Sequence, residues 1–123
     1  MNKGGKVLIA KRSPDKPMPN KWEFPGGKLE ADETLEECAV REIKEELELD
    51  IQVDTYVGYE EILYESKNFT LHLFTAHLND ENQVLRLKEH TESRWVAFSD
   101  FDKYDFPANN LSFIKELKKQ LER

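Results

Sequence analysis

The chain has 123 residues, 38% of them hydrophobic and 35% charged, with a formal charge of −7. That profile suits one soluble domain over 1–123 with a core of its own, and it excludes a disordered chain or a module that grips nucleic-acid polymer through a basic surface. The single cysteine, Cys38, excludes an intramolecular disulfide and a thiolate zinc cluster, and the apolar run Val7–Ala10 is too short for a signal-peptide core or a membrane span, so the expected setting is the cytoplasm.

In chain order, Gly4-Gly5 predicts a turn, and Lys6–Lys11 a short strand behind it. Ser13–Asn20 carries three prolines and must be a loop. Trp22–Phe24 reads as a brief extended piece stopped by Pro25-Gly26-Gly27. Asp32–Leu47 is the clearest helix, with Asp32 or Thr34 as its cap and acids crowding the first turn. Ile51–Leu63 is strand-like with a bulge at Gly58, and Asn68–Leu78 is a second strand ending at a polar turn. Val84–Lys88 and Arg94–Phe98 read as shorter strands. From about Asn109 the spacing of Leu111, Ile114, Leu117 and Leu121 predicts an amphipathic helix. Strands in the middle with helices early and late give an α+β sandwich, a mixed sheet with helices on its faces.

On a helical wheel, Leu35, Ala39, Val40, Ile43 and Leu47 sweep one apolar arc that should face the sheet. Glu42, Glu45 and Glu46 fall together on an adjoining arc, since positions i, i+3 and i+4 share a face. Three carboxylates so placed repel one another, and a hard dication such as Mg²⁺ would remove the penalty. In a chain with 25 acidic residues such a face is by itself most often solvated surface. Its border with the core-facing arc, and the Pro25-Gly26-Gly27 turn upstream with carbonyls free to coordinate, favour a metal site.

Gly27, Glu33, Arg41-Glu42-Ile43, Glu45-Glu46 and Leu49 together resemble the Nudix box, G-x5-E-x7-R-E-U-x-E-E-x-G-U with U a bulky aliphatic, matching eight of its nine specified positions. Glu48 stands where the box has its second glycine. A left-handed backbone at a non-glycine residue costs roughly 1 to 2 kcal/mol, so the helix is expected to run slightly longer, or to end at Asp50. The resemblance implies an α/β/α sandwich and hydrolysis dependent on Mg²⁺, with Mn²⁺ a possible substitute. It implies Glu42, Glu45, Glu46 and the Gly26 carbonyl as ligands, Glu42 as the leading candidate to orient or deprotonate water, and Arg41 as support for Glu33. Glu89-His90 ahead of Arg94-Trp95-Val96 is similar to the family's Glu-His before a Trp-containing strand, making Glu89 a further base or ligand. His72 and His77 fit ordinary strand packing at least as well.

Asn20–Lys28 and Phe106–Asn110 resemble the MutT-type branch, which converts nucleoside triphosphates to monophosphate and pyrophosphate. That implies Asn110 or Asn109 at the base edge, Phe24 stacked on the base with Arg12 near it, and Lys28 near the phosphates. 8-oxo-dGTP, a damaged nucleotide removed from the pool, is the leading substrate. Competing readings are a CTP or methyl-dCTP pyrophosphatase, one acting on dinucleoside polyphosphates or nucleotide sugars, a Nudix-fold sensor that does not hydrolyse, and a generic acidic interaction domain. Family members usually begin with an apolar strand before a turn like Asn2-Lys3-Gly4-Gly5; here that strand looks missing, leaving an edge that another chain could pair, a homodimer included.

Overall fold

The burial of the first long strand explains the architecture. In Lys6–Arg12 the side chains of Val7 and Ile9 enter one apolar cluster while Leu8 enters another, so this strand is covered on both faces. The computed structural model describes residues 2–3, 6–16, 19–27, 29–64, 66–106, 114–117 and 119. Within them, β1 (Asn2–Lys3), β2 (Lys6–Arg12), β3 (Trp22–Glu23), β4 (Ile51–Tyr64), β5 (Lys67–Leu78) and β6 (His90–Val96) form one mixed sheet. One edge of β2 carries β6 antiparallel along its length; the other is shared by β1 and β3, and β1 joins β5 in parallel. Asn2 and Lys3, read from sequence as part of a turn, are therefore strand, seated between β2 and β5. Beyond it, β5 and β4 make a long antiparallel hairpin whose register slips twice, at Val53/Thr55 and at Tyr56/Gly58. The second slip is the bulge expected at Gly58; the first had no glycine to announce it.

Helix α1 (Leu35–Leu47) covers one face of this sheet, its Ile43 and Leu47 packed with Leu8, Leu49, Ile51, Ala76 and Leu78. Burying Leu8, Leu47 and Leu49 nearly completely contributes roughly 1.5 to 3 kcal/mol each. On the other face Trp22, Val96, Phe101 and Phe106 form the second cluster, and Ile114 and Leu117, in a helical stretch at 114–117, pack against that side. Leu111 and Leu121, expected on the same helix, lie outside the described residues. The 3₁₀ segment Phe98–Lys103 links β6 to this layer.

Thr34 is the N-cap of α1. Its Oγ1 accepts from the Glu37 N–H at 3.1 Å and Glu37 Oε1 accepts from the Thr34 N–H at 2.8 Å, a reciprocal capping box. The helix thus starts later than Asp32, which sits at φ 66° in the preceding turn. Its buried residues include Cys38 and Glu46, whereas Val40, placed on the core-facing arc by the wheel, is 38% exposed. The sheet touches a narrower stripe than the arc of apolar residues. Val84–Lys88 is not a strand. Its amides bond the exposed carbonyls at the end of α1, Arg86 N–H to Leu47 and Lys88 N–H to Glu46, each at 3.0 Å.

The helix also ends where the box ends it, not later. Glu48 takes the left-handed conformation, φ 56° and ψ 33°, and its N–H closes on Lys44 O. Its carboxylate reaches Lys88 Nζ at 3.0 Å and Arg86 Nε at 3.4 Å, contacts that hold its pKa below the usual range and draw the same 86–88 segment onto the helix end. Glycine and alanine at this position both lose those contacts but differ in backbone strain. Glu48→Gly should therefore melt about 5 °C above Glu48→Ala. Equal melting temperatures would show that the left-handed turn stores no strain.

Candidate active site

Alternation along β2 puts Leu8, Ala10 and Arg12 on the face that α1 covers, and the β2–β3 pairing puts Glu23, opposite Ala10, there too. Between these strand ends and α1 lies a cleft of about 340 Å³ lined by Arg12, Lys16, Glu23, Gly26, Gly27, Glu42, Glu45, Glu46, Glu89 and His90. Five carboxylates face two permanent cations. A shallower groove of about 550 Å³ on another side of α1, between Glu36–Arg41 and Ile51–Val53, gathers no comparable set.

The three helix glutamates are graded by burial. Glu45 is exposed, Glu42 has a side chain 16% exposed, and Glu46 is buried at 9%. Arg41 binds the group from outside. Its Nε and Nη2 donate to the two oxygens of Glu33 at 3.0 and 2.7 Å, and its Nη1 donates to Glu42 Oε1 at 2.7 Å and Glu45 Oε2 at 3.1 Å. This fork, with the Glu30 N–H behind it, holds the Glu33 carboxyl down to about 2. Glu33 is consequently an anchor for Arg41, which in turn orients Glu42.

Glu46 lies at the floor. Its Oε2 is buried with no hydrogen-bond partner among the described residues. Burial first, and then the charges of Glu23, Glu42 and Glu89, push its carboxyl up to about 8, against a backbone hydrogen bond from Gly26. A buried carboxylate with one oxygen left unpartnered is costly unless it is protonated or a cation joins it. The carboxylates around it, Glu23, Glu42 and Glu89, offer the oxygen chemistry that Mg²⁺ prefers. Among the described residues no three acidic, histidine or cysteine side chains close on one point as a cation site; the cleft gathers the carboxylates, two of which, Glu42 and Glu45, are bonded by Arg41.

The other carboxylates arrive from distant segments. Glu89 is carried to the cleft by the segment bonded to the end of α1, and it pairs with Lys16 Nζ at 3.5 Å. Glu23 accepts from His90 Nε2 at 3.0 Å through Oε2 and pairs with Arg12 Nη1 through Oε1. Lys16 and Glu23 were not singled out by sequence reasoning, nor was His90 except as Glu89's neighbour; strand pairing announces Glu23 and His90, and the ion pair with Glu89 announces Lys16. Phe24 points away from this cleft, against Phe101 and Phe106 on the opposite face. His72 and His77 lie on exposed strand positions, His72 packed on the Tyr56 and Tyr59 rings and bonded to Tyr56, His77 bonded to Asp54, and neither lines the cleft. Lys28, Asn109 and Asn110 lie outside the described residues.

Gly26 and Gly27 differ sharply. A Cβ on Gly27 would overlap the carboxylate of Glu42, whereas one on Gly26 would meet nothing within 4 Å. Because that carboxylate ends a flexible side chain, Gly27→Ala should fold normally and displace it. Turnover is expected to fall at least about tenfold, as misplacement of a reacting group by an ångström costs, with a smaller loss in Gly26→Ala. Kinetics and melting curves of the two variants check this; a tolerant Gly27 would mean that the position of Glu42 here is not the working one.

The NUDIX domain family matches residues 1–117. The chain is 34% identical over 97 residues to the CTP pyrophosphohydrolase of Escherichia coli (strain K12), spanning 79% of this chain and 70% of that protein. It is 31% identical over 118 residues to the 8-oxo-dGTP diphosphatase of the same strain, spanning 96% and 90%. Among solved structures, the MutT protein from Methanosarcina mazei Go1 superposes with a TM-score of 0.86 at 25% identity, over 99% of this chain and 89% of that one.

Proposed function

This chain belongs to the Nudix family of pyrophosphohydrolases, and from that membership we propose that it hydrolyses a nucleoside triphosphate to the monophosphate and pyrophosphate, with 8-oxo-dGTP as its first substrate. One observation carries the placement of the chemistry: a buried carboxylate oxygen of Glu46 without a partner among the described residues, at the floor of a cleft that four further carboxylates share. Glu42, Glu45, Glu46, Glu89 and the Gly26 carbonyl would hold Mg²⁺, or Mn²⁺ in its place. When bound, such ions neutralise charge on phosphate oxygens and favour in-line attack by water.

The chain's own residues do the rest. Glu42 accepts the proton of the attacking water, its carboxylate held between Arg41 and the bare backbone of Gly27. Arg41, itself anchored by Glu33, keeps Glu42 from swinging out of the cleft. Arg12 and Lys16 supply the cationic rim against which a phosphate chain can lie. In this reading Asn110 or Asn109 recognises the base, Phe24 stacks on it from outside the cleft, and Lys28 adds a cation for the phosphates. The whole of 1–123 acts as one domain. Among the described residues no helix is long and apolar enough to cross a membrane.

The 8-oxo-dGTP reading draws support from a relative named for that activity that spans nearly the whole chain. A CTP reading draws support from the higher identity, over a shorter stretch, to a relative named for CTP. Release of pyrophosphate and phosphate, measured with Mg²⁺ across 8-oxo-dGTP, dGTP, CTP, 5-methyl-dCTP, a dinucleoside tetraphosphate and ADP-ribose, separates the two. Pyrophosphate release led by 8-oxo-dGTP is the expected result. A lead by CTP replaces the substrate but keeps the reaction, and silence from folded protein leaves a nucleotide-binding module.

A further inference from the structure

The pairing of β2 with β6 runs in a regular antiparallel register from Val7↔Val96 to Lys11↔Glu92, and then slips. Continued without the slip, Arg12 would oppose Thr91. Instead it opposes His90. Side chains alternate between faces along a strand, so this one-residue bulge brings His90, rather than Thr91, onto the face of Arg12 and Glu23. A bulge that re-aims one side chain into a cleft is a recognised device of strand ends near active sites.

The re-aimed ring is almost wholly enclosed, with its side chain 3% exposed. Its Nε2 donates at 3.0 Å to Glu23 Oε2, because a carboxylate can only accept, and Glu23 Oε1 takes Arg12 Nη1. Both oxygens of Glu23 are therefore engaged by protein donors. That sets Glu23 apart from Glu46, whose Oε2 has none among the described residues. Three adjacent strands each contribute one member of the chain His90–Glu23–Arg12, and the member at its outer end lines the cleft beside Lys16.

We propose that His90 is a positioning residue: by fixing Glu23 it sets the guanidinium of Arg12 at the rim of the cleft, ready to receive the phosphate chain of the nucleotide. The inference rests on the hydrolase reading for its substrate, but not for its geometry. A long arginine side chain loses much rotamer freedom when it binds a ligand, and holding it beforehand lowers that cost. Glu23 acts here as a strut and not as a metal ligand.

The test uses the whole chain and two readouts: steady-state kinetics on 8-oxo-dGTP, dGTP and CTP with Mg²⁺, and calorimetric binding of inorganic tripolyphosphate. His90→Phe keeps an aromatic ring and removes the donor. KM is expected to rise, and tripolyphosphate affinity to fall, about tenfold, with kcat changed far less, the size expected for losing a hydrogen bond to a charged group. His90→Gln, which returns a donor near the position of Nε2, should recover most of the loss. In an Arg12→Ala background, His90→Phe should add nothing, because the residue it positions is gone. Should His90→Phe fail to fold, Glu23→Gln interrupts the same chain at its middle and should match the binding loss of Arg12→Ala. The proposal is overturned if His90→Phe binds tripolyphosphate like wild type, if the Arg12 and His90 losses multiply independently, or if kcat rather than KM collapses. Wild type that binds tripolyphosphate but turns over no nucleotide would instead overturn the hydrolase reading, leaving the binding arm to decide on His90.

Discussion

Glu42→Gln is expected to lower turnover by at least about a hundredfold, the low end for loss of a positioned base. Glutamine keeps the length of the side chain and an oxygen that still accepts from Arg41 Nη1, now 2.7 Å from Glu42 Oε1. What it loses is the negative charge, which is needed both to take a proton from water and to hold a cation. The fold should be indifferent, since the variant keeps the packing against Gly27 and relieves repulsion with Glu46. Turnover within a few-fold of wild type, from a protein with an unchanged melting curve, would remove Glu42 from the chemistry and with it the mechanism proposed above. Because Gly27→Ala displaces the same carboxylate without neutralising it, the two variants together separate the position of Glu42 from its charge.

The second large effect is on stability, and its sign follows from the raised carboxyl of Glu46. In the folded chain this group titrates near 8, against an ordinary value of 4.5. Between those two pH values the folded state holds a proton that the unfolded state has released, so stability falls as pH rises, and the loss is complete above about 8. The loss at Glu46 is on the order of a few kcal/mol. Mg²⁺ should oppose it by pairing with the carboxylate, and the gain should grow with pH as the competing proton leaves. Melting curves at pH 6 and pH 9, with and without Mg²⁺, compared between wild type and Glu46→Gln, isolate the group. Glutamine should abolish most of the pH slope and of the Mg²⁺ response, and without metal at pH 9 it should be the more stable protein. An identical slope in both proteins would mean that Glu46 is solvated or already partnered, and the observation that carries the site would be lost.

Much of this site was legible in the chain itself. The i, i+3, i+4 spacing of Glu42, Glu45 and Glu46 and the capping by Thr34 follow from helix geometry and from residues within a few positions of one another. The approximate positions of β2, β4, β5 and β6 follow in the same way from local alternation. The Arg41–Glu33 pair spans only 8 positions and was implied by the resemblance. Where local reading failed, the deciding contact was distant. Val84–Lys88 has the composition of a strand, yet its amides were claimed by the carbonyls that α1 leaves open. Glu48 is a poor residue for a left-handed turn, yet the backbone there is set by the packing of Leu47 and Leu49 on either side, both almost fully buried.

By itself, then, the sequence determined the mixed sheet with an acidic helix across it and the grouping of Glu42, Glu45 and Glu46 on one helix face, because periodicity and capping are properties of neighbouring residues. Only the tertiary structure decided that Glu46 is buried while Glu45 is exposed, that a side chain on Gly27 would meet the carboxylate of Glu42, and that Glu23 is spanned by Arg12 and His90. Burial and pairing of that kind depend on sheet register. A slip of one residue between β2 and β6 brings together Glu23 and His90, which stand 67 positions apart, and no local pattern in the sequence records it.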